Sequence, residues 1–273
     1  MLQRVAVLFH PRRRQAVVEA EWLSAELDHR GVSTELGSGW DSDVVERLCC
    51  ECQLAVVLGG DGTIIRVARL ASPIGVPVLG VNLGRVGFLA EMTPRVLHES
   101  VDALAEGRFW VETRSMLDVF CMIAGQNLHF SCLNEVVVAR GAAPRAIHVN
   151  TTLDGEDLMT YTADAVLVAT ATGSTAYSLA AGGPILYPES RDFVITPVAP
   201  HLHIGRSMVV ASDTTVRLTL ATDRPAIVSV DGTDEHPLHP GDWVDVCRGN
   251  LVARFARLGP RKYFYAAIAD RLK

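Results

Sequence analysis

The stretch LAVVLGGDGTIIRVARL, residues 54–70, decides how the first part of the chain folds. Five apolar residues run into Gly59, Gly60, Asp61, Gly62 and Thr63, after which apolar residues recur at helical spacing. This order predicts a buried strand, a tight turn and a helix. Glycines in such a turn can adopt positive φ and let backbone N–H groups approach a phosphate at the helix start. The alternative is a purely structural strand-to-helix turn that Asp61 caps.

Asp61 is the unusual residue of this turn. The sequence GGDGT lacks the Lys-Ser/Thr pair of a P-loop, and it does not have the GxGxxG spacing of a dinucleotide fold. A carboxylate beside a bound phosphate repels it, unless the carboxylate binds a bridging metal ion or accepts the proton of an attacking hydroxyl. Asp61 therefore suggests phosphoryl transfer to an alcohol.

Strand and helix patterns alternate from residue 4 to residue 106, which predicts a parallel sheet with right-handed crossovers. From about Arg108, short runs rich in Val, Ile, Leu, Phe and Thr recur between Gly, Pro, Asn and Asp, as in a β-rich domain. We expect an α/β domain over 1–107, a β-rich domain over 108–258, and a helical segment over 259–273 that packs back on the first domain. The clearest predicted elements are strands at 4–9, 32–36, 54–58 and 76–82 and helices at 15–29, 41–52 and 94–106.

Composition narrows the class of protein. The chain has 273 residues, of which 49% are hydrophobic, so it can bury a substantial core, and its net charge of −6 gives no general attraction for nucleic acid or anionic membranes. No apolar run approaches the ~18 residues of a membrane span, and the charges near the amino terminus follow the apolar run, the reverse of a signal peptide. We expect a cytoplasmic protein without a nucleic-acid or membrane partner. Six cysteines, including those of CCEC at 49–52, lack the spacing of a metal site and are interpreted as reduced thiols.

Three polar clusters in the second half are candidate ligand contacts. Asn134 and Glu135 precede the apolar run VVVA, where two adjacent polar side chains can bind ribose hydroxyls or stabilise a turn. Asp164 precedes another apolar run, which leads into the hydroxyl-rich segment TGSTAYSLAAGGP, a predicted helix start with Tyr177 beside it. Asp231 lies in an Asp-Gly dipeptide, for which a hairpin turn is a sufficient explanation.

Taken in order, the motifs GGDGT, NLGRVGFLAE, LNEVVV, TGSTAYSLAAGGPI, TPVAPH and VDGT resemble those of the NAD kinase family, the ATP- or polyphosphate-dependent enzymes that make NADP. The resemblance covers nearly the whole chain. GGDG alone is shared with lipid kinases and phosphofructokinases, whereas TGSTAY followed by GGP is close to diagnostic. The resemblance implies a Rossmann-like nucleotide-binding α/β domain, then a β-sandwich-like domain that binds NAD, with the active site between them.

The resemblance also implies roles for individual residues. Asp61 matches the general base near the 2'-hydroxyl of the adenosine ribose of NAD, Asp164 matches an acid near the nicotinamide end, and residues 175–180 match a segment that closes round NAD. Tyr177 would then stack on adenine. The family usually has Arg or Lys where this chain has Thr162, a position that bears on discrimination between NAD and NADH. The candidate ligand-binding residues are Gly59, Gly60, Gly62, Thr63, Arg66, Asn134, Glu135, Thr162, Asp164, Thr172, Thr175, Ala176, Tyr177, Ser178, Ala180 and Asp231.

The expected reaction is phosphorylation of NAD by ATP or polyphosphate, with Mg²⁺ or another divalent metal carried by the phosphate donor. The resemblance further implies a homodimer or homotetramer. Two alternatives are a lipid or sphingoid kinase, which shares the GGDG loop, and a non-catalytic nucleotide sensor. The sequence does not decide between ATP and polyphosphate, nor does it show feedback by NADP or NADPH.

Overall fold

The computed structural model describes residues 1–84, 88–201 and 205–271. The chain divides into two compact units, one formed by 1–113 together with 252–273 and the other by 114–251. The first unit is therefore discontinuous in sequence. The predicted domain limits after residues 107 and 258 lie close to these boundaries, and the domain assignment itself stays a prediction.

The order of elements agrees with the predicted alternation in the first unit and with the β-rich pattern in the second. The first part of the chain forms β1 (Arg4–Phe9), α1 (Arg14–His29), β2 (Ser33–Ser38), α2 (Ser42–Glu51), β3 (Leu54–Gly59), α3 (Asp61–Ala71), β4 (Val78–Asn82) and α4 (Pro94–Ala105). The remainder forms β5 (Trp110–Ile123), β6 (Gln126–Cys132), β7 (Glu135–Arg140), β8 (Ile147–Leu153), β9 (Glu156–Ala163), β10 (Ala165–Ala169), α5 (Tyr177–Ala180), β11 (Phe193–Val198), β12 (Met208–Val210), β13 (Val216–Leu220), β14 (Ala226–Val230), β15 (Asp234–Leu238), β16 (Trp243–Arg257) and α6 (Tyr263–Arg271).

The first unit is built on a parallel sheet with strand order β2-β1-β3-β4. Every residue of β3 and β4 is buried, as expected for central strands that helices cover on both faces. Helix α4 begins as its sequence predicts, because Pro94 occupies the first helical turn and the Thr93 side chain accepts a hydrogen bond from the Val96 amide. The predicted α/β class is confirmed for this unit.

The end of β16 returns to the first unit and lies parallel to β4, with Phe255 beside Val78. A buried ion pair accompanies it, since Arg257 Nη2 lies 3.1 Å from Glu112 Oε1 and both side chains are almost fully buried. Tyr263 Oη donates to the other oxygen of Glu112 at 2.7 Å. Residues 255–263 are thus held against β4 and Glu112 by a strand pairing, an ion pair and a hydrogen bond.

The second unit contains two largely antiparallel sheets. One has the order β12-β11-β10-β7-β14-β15, and the other includes β16-β13-β8-β9 with the β5-β6 hairpin. Alternate residues of both sheets form one apolar core, for example Val136 and Val166 from the first sheet and Val149 and Val216 from the second. This is the β-sandwich-like arrangement that the sequence predicts.

The helix predicted within TGSTAYSLAAGGP is only a 3₁₀ turn at Gly173–Thr175 followed by the single turn α5. The side chains of Ser174 and Thr175 donate to the carbonyls of the residues three positions earlier, which competes with a regular helix. Gly182 ends the segment at φ 86°. No helix in the described parts of the chain is both long and apolar enough to cross a membrane.

Candidate functional site

The glycine loop joins β3 to α3, with Gly60 as the N-cap and Asp61 as the first helical residue. The turn does not use the freedom of its glycines to adopt positive φ, because Gly60 has φ −92° and neither Gly59 nor Gly62 lies in the left-handed region. Close packing explains Gly59, where a Cβ would lie 2.8 Å from the Thr63 side chain. A Cβ on Gly62 would meet nothing within 4 Å. The loop therefore leaves backbone bare at a helix N-terminus, where negative charge is favoured.

Thr63 and Arg66 are held by residues that the sequence analysis did not single out. The indole Nε1 of Trp40 donates to Thr63 Oγ1 at 3.3 Å. Arg66 Nη2 donates to Ser42 Oγ at 2.8 Å, and its guanidinium lies 5.6 Å from the centre of the Trp40 ring. These contacts give both predicted residues a structural role on the face of α3 that adjoins Trp40.

Asn134 and Glu135 lie at the start of β7 in the second unit. Asn134 Oδ1 and Glu135 Oε2 are buried and have no hydrogen-bond partner within the described residues. Buried polar atoms in folded proteins almost always have a partner, so two adjacent exceptions indicate groups that a ligand completes. Of the two interpretations left open by the sequence, this observation favours ligand binding over a turn.

The carboxyl group of Glu135 is mostly buried, and this burial raises its pKa to about 8, with the nearby charge of Asp231 as a smaller cause. Glu135 is therefore protonated at neutral pH. A protonated carboxyl group can donate one hydrogen bond as well as accept, which suits it to a hydroxyl-bearing ligand.

The raised pKa of Glu135 predicts a loss of stability as the pH rises. The folded chain holds a proton on Glu135 between the ordinary pKa of 4.5 and about 8, whereas the unfolded chain releases it. The contribution to stability is complete below the unfolded pKa and is lost as the pH passes the folded one. We expect Glu135→Gln to remove this decline. Between pH 6 and pH 9, the Tm of the wild type should therefore fall by about 4 °C or more in excess of any fall in the Tm of the variant.

The control for this measurement is Glu46→Gln, on the exposed surface of α2, which should follow the wild-type pH profile. Thermal unfolding of the three proteins at pH 6, 7, 8 and 9 provides the comparison. Equal declines for wild type and Glu135→Gln would show that Glu135 is ionised in the folded chain throughout this range.

Asp231 organises the backbone beneath the Asn134–Glu135 pair. It lies in the hairpin loop between β14 and β15, with φ 49°, followed by Gly232 at φ 66°, as an Asp-Gly turn predicts. Its carboxylate accepts hydrogen bonds from three consecutive amides, those of Leu133 at 2.8 Å, Asn134 at 2.6 Å and Glu135 at 3.2 Å. Asp231 is therefore both a turn residue and a positioning residue for the pair, a combination that the dipeptide alone does not reveal.

Gly173 packs directly against the same backbone. A Cβ at this position would lie 2.1 Å from the Asn134 carbonyl oxygen, which itself accepts a hydrogen bond from the Thr170 amide at 2.8 Å. The Thr170 hydroxyl donates to Leu133 O at 2.6 Å and accepts from the Gly173 amide. Thr170 is not predictable from the sequence, because its importance depends on contacts with residues about 37 positions away.

The hydroxyl-rich segment combines buried and exposed residues. Thr172 accepts from Arg114 Nη1 at 3.3 Å, and Ser178 is fully buried against Thr196, with 3.0 Å between their hydroxyl oxygens. Tyr177 is exposed, and the predicted Thr175, Ala176 and Ala180 are each at least partly exposed. The buried hydroxyls hold the segment in place, and the exposed residues are those available to a ligand.

Thr162 and Asp164 lie at the opposite end of β10 from the Asn134–Glu135 pair. Strand β10 pairs Ala169 with Glu135 at one end and Ala165 with Ala139 at the other, a separation of about 13 Å over four residue steps. Asp164 forms an ion pair with Arg140 at 3.1 Å, and Thr162 Oγ1 lies 3.1 Å from His148 Nδ1. The structure therefore groups Asn134, Glu135, Gly173 and Asp231, and it places Thr162 and Asp164 apart from them. The quoted motif NLGRVGFLAE contains residues 85–87, and TPVAPH is followed directly by residues 202–204; these six residues lie outside the described parts of the chain.

The donor set available for a metal ion is small. Within the described parts of the chain, no three His, Cys, Asp or Glu side chains are grouped as metal ligands. All six cysteines are free thiols. Near the glycine loop the relevant group is the single carboxylate of Asp61, which suits a magnesium ion that keeps water and phosphate ligands. The residues present fit a metal that arrives with a phosphate donor.

A parallel strand that leads through a bare glycine loop to a carboxylate at a helix start is an arrangement that can serve phosphoryl transfer. Comparison with known proteins shows the family. The ATP-NAD kinase N-terminal domain model matches residues 9–109, and the ATP-NAD kinase C-terminal domain model matches residues 133–258. The chain belongs to the NAD kinase family.

Individual relatives agree with this assignment. An NAD kinase of Dehalococcoides mccartyi is 38% identical over 275 residues, covering 100% of this chain and 97% of the relative. The fold is similar to that of yeast NADH kinase in complex with NADH, with a TM-score of 0.88, 23% identity and coverage of 99% and 87%. It is also similar to an NAD kinase from Archaeoglobus fulgidus in complex with ATP, with a TM-score of 0.79, 24% identity and 98% coverage of both chains. The predicted family, fold class and enzyme class are confirmed.

Proposed function

We propose that this chain transfers the γ-phosphoryl group of ATP to the 2'-hydroxyl of the adenosine ribose of NAD, with Asp61 as the general base. Phosphorylation of NAD with ATP as donor is the reaction of the family to which the chain belongs. The finer assignments, namely the hydroxyl, the base and the binding residues, are what the family resemblance implies, and the geometry described below supports them. Neither the lipid or sphingoid kinase nor the non-catalytic sensor is favoured by the family match.

The observation that carries the proposal is the position of Asp61. Asp61 is the first residue of α3, and its carboxylate therefore lies at the helix N-terminus. The neighbouring Gly60 and Gly62 have no side chains to fill the space in front of the helix. A phosphate can approach the backbone there, and the carboxylate can accept the proton of a hydroxyl that attacks it. Charge and geometry therefore suit a base in phosphoryl transfer better than a simple helix cap.

For the acceptor we propose the residues of the second unit. The unsatisfied oxygens of Asn134 and Glu135 would accept or exchange hydrogen bonds with ribose hydroxyls, and the face of Tyr177 would stack on a base. Asp231 and Gly173 would hold the pair in place, as their contacts with its backbone suggest. Thr162 and Asp164 would contact a more distant part of the dinucleotide.

We propose magnesium as the accompanying metal. It would reduce the negative charge of the donor phosphates during transfer. The donor phosphates and water would supply the metal ligands, which leaves the Asp61 carboxylate to accept the proton. We retain a homodimer or homotetramer as a proposal from the family resemblance, and a cytoplasmic location as a proposal from the sequence.

The direct test is to incubate the purified chain with magnesium and ATP together with NAD, NADH, a diacylglycerol or sphingosine. We expect phosphate to appear on NAD, with an NADP-specific dehydrogenase detecting the product and NMR locating the phosphate on the 2'-oxygen. Omission of magnesium with excess EDTA should abolish the reaction. Phosphorylation of a lipid alcohol in place of NAD would overturn the proposal, and phosphate on a different ribose oxygen would overturn the assigned acceptor.

Gly62→Ala separates a phosphate-binding loop from a structural turn. Because the added methyl group meets nothing within 4 Å and alanine favours helix, we expect the free energy of unfolding to stay equal or rise by about 1 kcal/mol. The methyl group would occupy space that the proposal gives to a phosphate, so kcat/KM for ATP should fall at least about tenfold, equivalent to ~1.4 kcal/mol. The measurement pairs urea unfolding with steady-state kinetics. Unchanged kinetics in a stable variant would favour the structural interpretation of the loop.

A further inference from the structure

A cavity of about 200 Å³ lies beside the glycine loop in the first unit, lined by His10, Pro11, Arg12 and Trp40. The first three residues follow β1 and Trp40 follows β2. These strands are parallel to β3, so their carboxyl ends lie on the same side of the sheet as the glycine loop. Proteins of the α/β class bind ligands at this carboxyl-terminal end of the strands. Two contacts connect the cavity to the loop: Trp40 with Thr63, and Arg13, whose Nη2 lies 3.8 Å from the position of a Cβ on Gly60.

Two aromatic rings form a corner of this cavity. The centres of the His10 and Trp40 rings are 5.3 Å apart with 60° between their planes. Trp40 is 46% exposed, an unusual exposure for an indole that is not part of an interface or a binding site. A planar ring system can stack on one wall of such a corner and direct its edge toward the other.

His10 presents a hydrogen-bond donor at the corner. The Arg12 amide donates to His10 Nδ1 at 3.2 Å, so in the neutral imidazole the proton is on Nε2. Nε2 is therefore available to donate to a ring nitrogen of a ligand. Neither aromatic residue takes part in the proposed phosphoryl transfer, and the contacts of Trp40 with Thr63 and Arg66 do not account for the exposure of its ring.

Size and charge indicate which part of a ligand fits. Pockets for drug-sized molecules measure about 300–1,000 Å³, so 200 Å³ suits a single base better than a whole nucleotide. Arg12, Arg13 and Arg14 are consecutive and exposed, and Arg13 lies between the cavity and Gly60. Positive charge therefore follows the path that a polyphosphate chain would take from the base to the glycine loop.

We propose that this cavity binds the purine base of the donor nucleotide. The base stacks on Trp40, accepts a hydrogen bond from His10 Nε2, and places its phosphates along Arg13 toward Gly60. The inference rests on the proposed function and extends it, because it makes Trp40 a determinant of donor choice. A donor with a base gains affinity here, whereas inorganic polyphosphate does not.

The test compares binding of ADP and of inorganic tripolyphosphate, both measured by calorimetry with magnesium and without NAD. Loss of base stacking typically weakens nucleic-acid binding by about 5- to 100-fold, so we expect Trp40→Leu to raise the Kd for ADP within this range and to change that for tripolyphosphate less than twofold. Trp40→Phe retains a stacking face and should restore most of the ADP affinity. His10→Ala should weaken ADP selectively and by less than Trp40→Leu.

Trp243→Leu is the matched control. Like Trp40, Trp243 has a guanidinium over its ring, since that of Arg217 lies 4.1 Å from the ring centre, but Trp243 belongs to the second unit. It should leave ADP affinity unchanged. Equal weakening of ADP and tripolyphosphate in Trp40→Leu would mean that Trp40 acts only by positioning Thr63, and unchanged ADP affinity would mean no contact with the base. Either result overturns the inference, as does a wild-type chain that does not bind ADP. Because the test measures binding directly, its result can be interpreted even if the chain does not phosphorylate NAD.

Discussion

Asp61→Asn should lower kcat by about 10²–10⁴-fold, the usual contribution of a positioned general base. The amide cannot accept the hydroxyl proton, but it keeps the size of the side chain and can still hydrogen-bond a hydroxyl, so NAD affinity should survive. The fold should also survive, since Asp61 is at a helix start that Asn tolerates. The measurement is kcat and NAD affinity, with thermal unfolding as the check on structure.

A magnesium titration of the same variant separates two roles for the carboxylate. If Asp61 mainly binds the metal, Asp61→Asn will need a higher magnesium concentration for half-maximal activity, and excess magnesium will restore much of the rate. We expect no such rescue, since phosphates and water can supply the remaining metal ligands. Recovery of near wild-type turnover at high magnesium would contradict the general-base assignment, and unchanged turnover at every concentration would exclude both roles.

Gly173→Ala should have the second largest effect. The added Cβ would lie 2.1 Å from the carbonyl oxygen of Asn134. The three atoms nearest to it all belong to the Asn134 backbone, which has little room to adjust. Overpacking of this kind costs about 1–3 kcal/mol, or roughly 2–12 °C in Tm for a chain of this size. Because the shift falls on the Asn134–Glu135 backbone, we also expect the KM for NAD to rise at least about tenfold, equivalent to ~1.4 kcal/mol.

Gly62→Ala is the matched control for stability, since it adds the same methyl group where nothing lies within 4 Å. Isothermal binding of NAD to both variants shows whether the acceptor site alone is affected. A Gly173→Ala variant with wild-type Tm and NAD affinity would mean that the contact with Asn134 relaxes without cost and that the segment does not position the pair.

Local patterns were sufficient to predict the framework. The strand at Arg4–Phe9 was predicted with the same limits, and Pro94 fixed the start of α4. These features depend on residues within a few positions of one another. The short helix near Tyr177 was overestimated, because hydrogen bonds from Ser174 and Thr175 to nearby carbonyls replace the regular helical pattern.

Contacts between distant parts of the chain could not be predicted in this way. The carboxylate of Asp231 binds amides about 97 positions earlier, and Gly173 is required by a carbonyl 39 positions earlier. Trp40 was overlooked because the residues adjacent to it in the sequence do not show that its indole donates a hydrogen bond to Thr63. The residues that would contact NAD stay predictions from motifs, whereas those that position them became visible only in three dimensions.

The return of β16 to the first unit has a consequence for synthesis of the protein on the ribosome. Strand β4 receives its neighbour from residues near Phe255, close to the carboxyl end of the chain. During translation, the Val78 end of this edge therefore stays unpaired until almost the whole polypeptide has been made, whereas its Val81 end pairs with Met92 soon after β4 is complete. An open strand edge can pair with another chain, so the nascent protein is exposed to misassociation until its last strand emerges.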